Sequence, residues 1–460
     1  MTLYAIFIKF GDGPVYARIK PGITGKGIGY PILSLFRPPY RFYYGWVVVA
    51  VSFLTVFFVL GTRSSFGLFY TAILTEYGWS RAETAGAFSL MMIFHAVLSP
   101  VSGILIDRIG PRKLFPVGGV IVAIGLFSSS YISEIWQFYL FFGVITALGI
   151  NTQAFAPQMS LIPRWFFRKK GLASGLVLSG MGTGTMIMAL MIGFIIVRAG
   201  WRIAFMTISV LVFCFVVPIN IIFQRNGPEE VGQTIEETGL KFKRGEVSGE
   251  DRIERKTETP IAHRTWTFKA ALRTKAFWCF LFMGFVQGLT VNTIVVHLAP
   301  HVIDIGFSPM LAASMVGLVG LLASLGTILF GVLSDRMGRE SGYSIASISQ
   351  FLGILLLILM ESSPLKRLLY VFVILYGLGY GGISAITAAA TGDIFSGKAL
   401  GRIISTQAVS FGLGSALGAY LGGYFFDKWG SYKIPFSMIL VSIIAGAIAL
   451  WLAAPRHSRV

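Results

Sequence analysis

Long apolar runs, separated by short polar loops, follow one another along most of the chain. A helix of about 20 apolar residues spans the hydrocarbon core of a bilayer, and these runs lack the alternation of barrel strands. Helices also satisfy every backbone polar group inside lipid. We therefore predict an all-α membrane protein with twelve transmembrane helices at 46–69, 83–106, 114–132, 135–157, 172–197, 202–224, 276–299, 309–333, 342–361, 367–392, 402–425 and 432–454.

The composition agrees with a membrane setting. Apolar residues make up 55% and charged residues 13% of the chain, whereas soluble domains carry about 25% charged residues. The net charge of +18 comes largely from basic residues scattered over short loops, which suits a lipid bilayer with anionic headgroups better than nucleic acid. Because the only cysteines are Cys214 and Cys279, we expect no metal site and no cofactor.

One loop pattern, Gly-x-x-x-Asp-Arg-x-Gly, occurs twice, as GILIDRIGPRK at 103–113 and GVLSDRMGRES at 331–341. The same offset of 228 residues aligns Trp201 with Trp429 without a gap. The chain therefore contains two copies of one unit in the same orientation. The predicted organisation is a disordered cytoplasmic N-terminal arm at 1–41, a six-helix half at 42–224, a cytoplasmic linker at 225–275, and a second six-helix half with a short tail at 276–460.

Basic residues orient the predicted bundle. They cluster in the loops after spans 2, 4, 8 and 10, for example at Arg112, Lys113, Lys170, Arg336 and Arg402. These loops all lie on one side, which the positive-inside rule makes cytoplasmic. We therefore expect a multi-pass protein of the cell (inner) membrane with both termini in the cytoplasm.

Parallel six-helix halves, a long central loop and the duplicated Asp-Arg motif resemble the major facilitator superfamily over residues 43–455. Tyr44-Gly45-Trp46 and the stretch from Trp165 to Gly175 are similar to signatures of the monocarboxylate transporter family and of bacterial oxalate/formate-type exchangers. The resemblance implies a secondary transporter, not an enzyme, that works as a monomer. It would carry a small organic anion by alternating access, through proton symport or anion exchange.

The loop motif has a physical reading of its own. An aspartate can accept hydrogen bonds from a neighbouring helix N-terminus, and an arginine can pair with carboxylates or terminal carbonyls. With the resemblance, this predicts contacts that join the cytoplasmic ends of the halves in one state and break in the other. Alternatively, the motif is only a signal for membrane topology and has no role in gating. The gating candidates are Asp107, Arg108, Arg112, Asp335 and Arg336.

Arg63 is the main candidate for binding substrate. No acidic residue falls in the middle of a predicted span, whereas Arg63 lies about 25 Å along the helix from Trp46, in the outer half of the membrane. An intramembrane cation is usually functional, and a guanidinium binds a carboxylate with two hydrogen bonds. Alternatively, Arg63 snorkels to the headgroups or pairs with Glu76 or Asp304. In the family that the chain resembles, a basic residue one position away contributes to substrate recognition.

Spans 1, 4, 7 and 10 are expected to line the substrate cavity. Each polar residue there is weak evidence alone, because such residues more often hydrogen-bond between helices. His95 in span 2 could titrate near neutral pH and couple transport to protons, or could simply pack. The further substrate-binding candidates are Asn151, Asn292, His297, Tyr376 and Tyr380.

Two departures from the family limit the substrate. Span 8 contains no charge, and span 11 has no lysine where an oxalate exchanger would carry one. A single fixed cation favours a monocarboxylate, similar to lactate or pyruvate, over a dicarboxylate. A multidrug or other small-molecule exporter and a dicarboxylate or formate exchanger remain alternatives, although carriers of cationic drugs usually need an intramembrane carboxylate. The sequence leaves open which acid is carried and in which direction.

Overall fold

The computed structural model describes residues 43–167, 169–233, 266–395 and 400–453, without the side chains of residues 155 and 156. The predicted arm and most of the predicted linker lie outside these residues. The long helices of the described part are α1 (Gly45–Tyr77), α2 (Arg81–Ile109), α3 (Pro111–Ser129), α4 (Ile135–Asn151 and Phe155–Trp165), α5 and α6 (Lys170–Phe223, divided at Gly200), α7 (Lys275–Asp304), α8 (Pro309–Met337), α9 (Arg339–Met360), α10 (Lys366–Ile394), α11 (Leu400–Trp429) and α12 (Lys433–Ala453).

Nine of the described helical runs are long and apolar enough to cross a membrane. That set treats α5 and α6 as one run, and it leaves out the interrupted α4 and the glycine-rich α11. With these distinctions the helices follow the twelve predicted spans in order. The all-α membrane fold is therefore confirmed.

Local sequence signals fix several helix ends. Ser80 caps α2 through a hydrogen bond from the backbone N–H of Glu83, whose side chain accepts from the Ser80 N–H in return. Gly110 and Gly338 stand at the two motif positions and have φ of 81° and 94°. Side chains disfavour that region of backbone space. The repeated glycine therefore makes a tight turn from α2 to α3 and from α8 to α9.

Helix α1 is longer than the predicted span 46–69. Thr71 and Thr75 return their hydroxyl groups to backbone carbonyls four residues earlier, at 2.8 and 3.0 Å. Polar residues can continue a membrane helix in this way, because their hydrogen bonds are satisfied within the helix. The helix ends only at Gly78, with φ of 65°.

Helix α4 is interrupted where the sequence predicted one continuous span. Residues 139–146 form a wider π-helical turn, and helical geometry stops at Asn151. Ala154 has extended backbone angles before a second helical piece, Phe155–Trp165, begins. Pro157 stands at the third position of this second piece, and it has no N–H to bond back to the carbonyl of Gln153 across the break.

Helices α1 to α6 are called the first set and α7 to α12 the second set. Helix α1 packs closely against α5 in the first set, and α7 packs closely against α11 in the second. Gly180 and Gly184 of α5 lie against the backbone of Phe53 and Phe57. A side chain at either glycine would overlap that backbone, so small residues set the distance between the helices. Two other pairs, α2 with α11 and α5 with α8, join the two sets.

Candidate functional site

Arg63 lies close to the middle of α1. It follows Gly45 by roughly 27 Å and precedes Tyr77 by roughly 21 Å at 1.5 Å per residue. A turn at Ser65 interrupts the helix directly after it. The longer helix places Arg63 farther from a membrane boundary than the span 46–69 implied, which weakens the snorkelling alternative.

The guanidinium of Arg63 has no hydrogen bond or ion pair with any residue that the structure describes. Neither acidic partner considered from the sequence is available. Glu76 accepts from the Trp201 indole N–H at 2.6 Å and also pairs with Arg202. Asp304 pairs with Arg81 at 2.7 Å. The alternative in which one of these carboxylates neutralises Arg63 is therefore wrong for this structure.

Two predicted site residues lie within the electrostatic reach of Arg63. They are His95 of α2 and Tyr380 of α10. All three side chains are half-buried rather than sealed in the protein. The structure thus brings one cation, one imidazole and one phenol together at a space between the two sets of helices.

Asn151 belongs to this cluster through His95. Its side-chain oxygen lies 2.8 Å from Nδ1 of the His95 ring, and its amide nitrogen donates to the Ala147 carbonyl at 2.8 Å. Asn151 is buried and forms the last residue of the first piece of α4. The helix break thus lies beside the residue that holds the imidazole.

Tyr376 lies one turn before Tyr380, with ring centroids 6.3 Å apart. Its ring is buried against Phe372, and its hydroxyl lies beside the amide of Gln350. Tyr376 is therefore a packing residue beside the site, whereas Tyr380 lies within the electrostatic reach of Arg63.

Asn292 and His297 take part in a different contact, between α7 and α11. Asn292 donates to Ser415 at 2.8 Å, and the His297 ring lies 2.8 Å from the Ala419 carbonyl and 3.3 Å from the Tyr432 hydroxyl. Both are fully buried. These bonds join α7 to α11 and its following loop, so the structure does not bring either residue to the Arg63 cluster.

The gating candidates lie at the end of the bundle that carries Asp107 and Asp335, called here the motif end. Asp107 pairs with Arg164 of α4 at 2.6 Å, and Arg112 lies 3.6 Å from Glu230. These contacts stay within the first set of helices. Asp107 here meets an arginine, whereas the sequence suggested a helix N-terminus.

The second copy of the motif uses a shared arginine. Arg339 binds Asp335 at 2.5 Å and Asp393 at 2.9 Å. Arg108 and Arg336 are exposed and have no ion pair among the described residues. None of the described motif contacts joins the two sets of helices in this conformation.

An interaction that the sequence did not predict closes the opposite end, called here the Arg81 end. The Arg81 guanidinium binds Asp304 of α7 at 2.7 and 3.0 Å, hydrogen-bonds Tyr432, and stacks 3.6 Å from the Phe426 ring centroid. Asp427 of α11 accepts from the backbone N–H groups of Arg81 and Ala82. Burial raises the pKa of the Tyr432 hydroxyl, which stays a neutral phenol.

A sequence signal for this cluster exists. Arg81 is the first residue of α2, and a cation at a helix N-terminus is unfavourable against the helix dipole. Such an arginine needs acidic partners, but they lie more than 220 residues away along the chain. Only the fold brings them together.

Helices α2 and α11 separate toward the motif end. Ser89 donates to the Ala416 carbonyl at 2.8 Å, and Gly412 packs against Ala96. Gly103 and Gly401 lie two or three turns farther on the same helix faces, and no atom of the described residues occupies the space where their side chains would be. The pair is thus tight in the middle and open at the motif end.

Helices α5 and α8 behave in the same way. Gly193 packs against Ala313, and Gly182 packs against Ser324. On the same faces, no residue in the described part of the chain lies close to the side-chain position of Gly175 or Gly331. Within the described residues, the cluster around Arg63 is therefore closed from the Arg81 end and open toward the motif end.

Comparisons with known proteins agree with this architecture. A sequence model of the Major Facilitator Superfamily matches residues 52–383 and 315–460. Monocarboxylate transporter 12 of Rattus norvegicus is 24% identical, over 88% of this chain and 85% of the relative. The uncharacterized MFS-type transporter YcxA of Bacillus subtilis is 22% identical, over 88% and 93%.

Solved structures show the same fold at low identity. A bacterial homologue of the human lysosomal transporter Spinster, in an inward-facing and occupied conformation, superimposes with a TM-score of 0.66 at 15% identity, over 90% of this chain and 97% of that one. The nucleoside transporter NupG gives 0.67 at 12% identity, over 89% and 100%. From its helices and its match over most of its length, the chain belongs to the major facilitator superfamily, a family of transporters and not of enzymes.

Proposed function

We propose that this protein carries a small monocarboxylate, similar to lactate or pyruvate, across the membrane and that Arg63 binds the carboxylate. The unpaired Arg63 guanidinium in the middle of α1 is the observation that carries the proposal. A guanidinium offers paired donors that match the two oxygens of a carboxylate. The relatives named monocarboxylate transporters support this choice of substrate.

The charges around Arg63 favour a single anionic group. Among the described residues, the membrane-spanning segments around it supply one half-buried phenol and one imidazole, but no second cation. A dicarboxylate would leave one of its charges without a partner in a water-poor cavity, which is costly. A lipophilic cation would meet the same arginine and be repelled.

Transport would proceed by alternating access. The two halves, 42–224 and 276–460, would rock against each other around the Arg63 cluster, with the linker 225–275 joining them. We propose that the motif end and both termini face the cytoplasm of a cell whose inner membrane holds the protein, and that a monomer suffices. The present conformation would then be open to the cytoplasm.

Two modes of coupling fit this site. In symport, His95 or the bound acid itself would carry a proton with the anion. In exchange, one carboxylate would leave as another enters. The hydrogen bond from His95 to Asn151 uses Nδ1 of the ring and leaves Nε2 available to contact the substrate in both modes.

The decisive experiment is uptake by the purified full-length chain in proteoliposomes. Labelled lactate or pyruvate should accumulate under an imposed pH gradient or counter-substrate gradient, and unlabelled acid should compete where its amide does not. Equal competition by acid and amide, or transport of a lipophilic cation instead, would reject the monocarboxylate proposal in favour of an exporter.

A further inference from the structure

The orientation of the Asn151 amide determines the state of the His95 ring. The amide nitrogen of Asn151 donates to the Ala147 carbonyl at 2.8 Å, and the opposite orientation would set two acceptor oxygens against each other. The amide oxygen therefore faces Nδ1 of His95 at 2.8 Å. Because an amide oxygen can only accept, Nδ1 must carry the hydrogen.

A neutral imidazole with its hydrogen on Nδ1 presents a lone pair on Nε2. That nitrogen has no hydrogen-bond partner in the part of the chain that the structure describes, and the ring is half-buried beside the Arg63 cluster. A second cation next to the unpaired Arg63 is electrostatically unfavourable, so the ring is best described in its neutral form. The side chains of the site thus present an acceptor close to a cation.

We propose that the substrate is a hydroxy monocarboxylate whose hydroxyl group donates a hydrogen bond to Nε2 of His95 while Arg63 binds its carboxylate. This inference rests on the proposed function and goes beyond it, since it distinguishes hydroxy acids from oxo acids. Asn151 is a positioning residue: it does not touch the substrate but holds the ring as an acceptor. A keto oxygen has no hydrogen to donate and would face the lone pair of Nε2 directly.

The expected discrimination follows from the loss of one hydrogen bond. A site built to bind a hydroxyl rejects an analogue without it, because the polar group of the protein is then left unpaired. For a single neutral bond in a partly hydrated site we expect roughly tenfold weaker binding. Three acids with the same carbon skeleton isolate this effect: lactate, pyruvate and propionate.

The test measures the dissociation constants of these three acids for the detergent-solubilised full-length chain. The wild type should bind lactate roughly tenfold more tightly than pyruvate or propionate. In His95→Leu and in Asn151→Leu the three constants should converge while carboxylate binding persists. In Asn151→Asp the preference for lactate should return, even if overall affinity falls, because a carboxylate also accepts from Nδ1.

Asn292→Leu is the matched control. Asn292 is an equally buried asparagine that donates to Ser415 between α7 and α11, so its loss should leave the ratio between the acids unchanged. Equal affinity for the three acids in the wild type, or a preference that survives both leucine variants at His95 and Asn151, would overturn the inference. Failure of the proposed function looks different: no acid would bind, or Arg63→Gln would bind all of them normally.

Discussion

At the scale of single residues, Arg63 is the most informative side chain. If its guanidinium holds the carboxylate, Arg63→Lys should keep the charge but lose the paired geometry and transport at a reduced rate. Arg63→Gln should nearly abolish transport, because a charge-assisted hydrogen bond contributes about 1.5–3 kcal/mol, or roughly ten- to a hundredfold in affinity. Initial uptake rates in proteoliposomes measure both effects.

Competition by an acid and its amide provides the control. The wild type should prefer the acid, and this preference should vanish in Arg63→Gln. A snorkelling arginine predicts normal transport in both variants. If Arg63→Gln keeps the full preference for the acid, the anion binds elsewhere in the cavity.

The sequence singled out the residues of the Arg63 cluster more readily than it separated binding residues from packing residues. Arg63 stood out because its charge lies in an apolar run, and a local pattern suffices for that. Asn292 and His297 looked equally suitable as binding residues, but Ser415 and Ala419 occupy their polar atoms. Such partners lie on another helix more than 120 residues away, so only the packing of the bundle distinguishes a binding residue from a bridging one.

At the scale of helices, the two copies of the motif should differ in importance. Among the described contacts, Arg164 has Asp107 as its single acidic partner, whereas Arg339 binds both Asp335 and Asp393. Asp107→Asn should therefore reduce transport sharply, and Asp335→Asn should be milder because Asp393 still holds the shared arginine. Initial uptake rates compared at equal protein levels test the difference.

Thermal stability in detergent separates gating from folding. The Asp107 side chain is 69% exposed, and exposed ion pairs contribute little to stability. Both variants should therefore unfold within a few degrees of the wild type. Equal and negligible effects of the two variants on transport would reduce the motif to a signal for topology.

Helix existence was predictable, but helix continuity was not. Apolar runs predicted the helices in their order, and Gly110 and Gly338 marked two turns that the positive φ values explain. The end of α1 was missed because Thr71 and Thr75 look polar, although their hydroxyl groups bond within the helix. The break in α4 lies one turn before Pro157, which has no N–H to bond back to the Gln153 carbonyl. The proline alone did not predict it, because Pro100 of α2 and Pro300 of α7 lie within continuous helices.

At the scale of the whole molecule, the Arg81 end should act as a latch for the present conformation. The contact of Arg81 with Asp304 joins the two sets of helices, and both side chains are partly exposed, at 17% and 34%. Such a pair contributes about 1 kcal/mol. Asp304→Asn should thus shift the population toward opening at this end by roughly fivefold.

Spin labels at Ser133 and Ser363, which are exposed at the Arg81 end of the first and second sets, would report the shift as a longer distance between labels. Glu76→Gln is the matched control, because Glu76 bonds Trp201 and Arg202 within the first set at the same end. The latch hypothesis fails if Asp304→Asn leaves the distance distribution unchanged or if Glu76→Gln changes it equally.

The unpaired charge of Arg63 should also decide how the carrier returns after release of substrate. Closing the motif end removes water from the cavity, and an arginine without an anion loses its hydration with no partner in exchange. A bound carboxylate supplies that partner, so the loaded carrier should reorient faster than the empty one.

We expect labelled lactate to leave proteoliposomes several times faster when unlabelled lactate is present outside. In Arg63→Gln, any residual efflux should lose this acceleration, because a neutral side chain tolerates closure. Equal efflux with and without external lactate in the wild type would show that the empty carrier returns freely and that the unpaired charge of Arg63 does not slow its return.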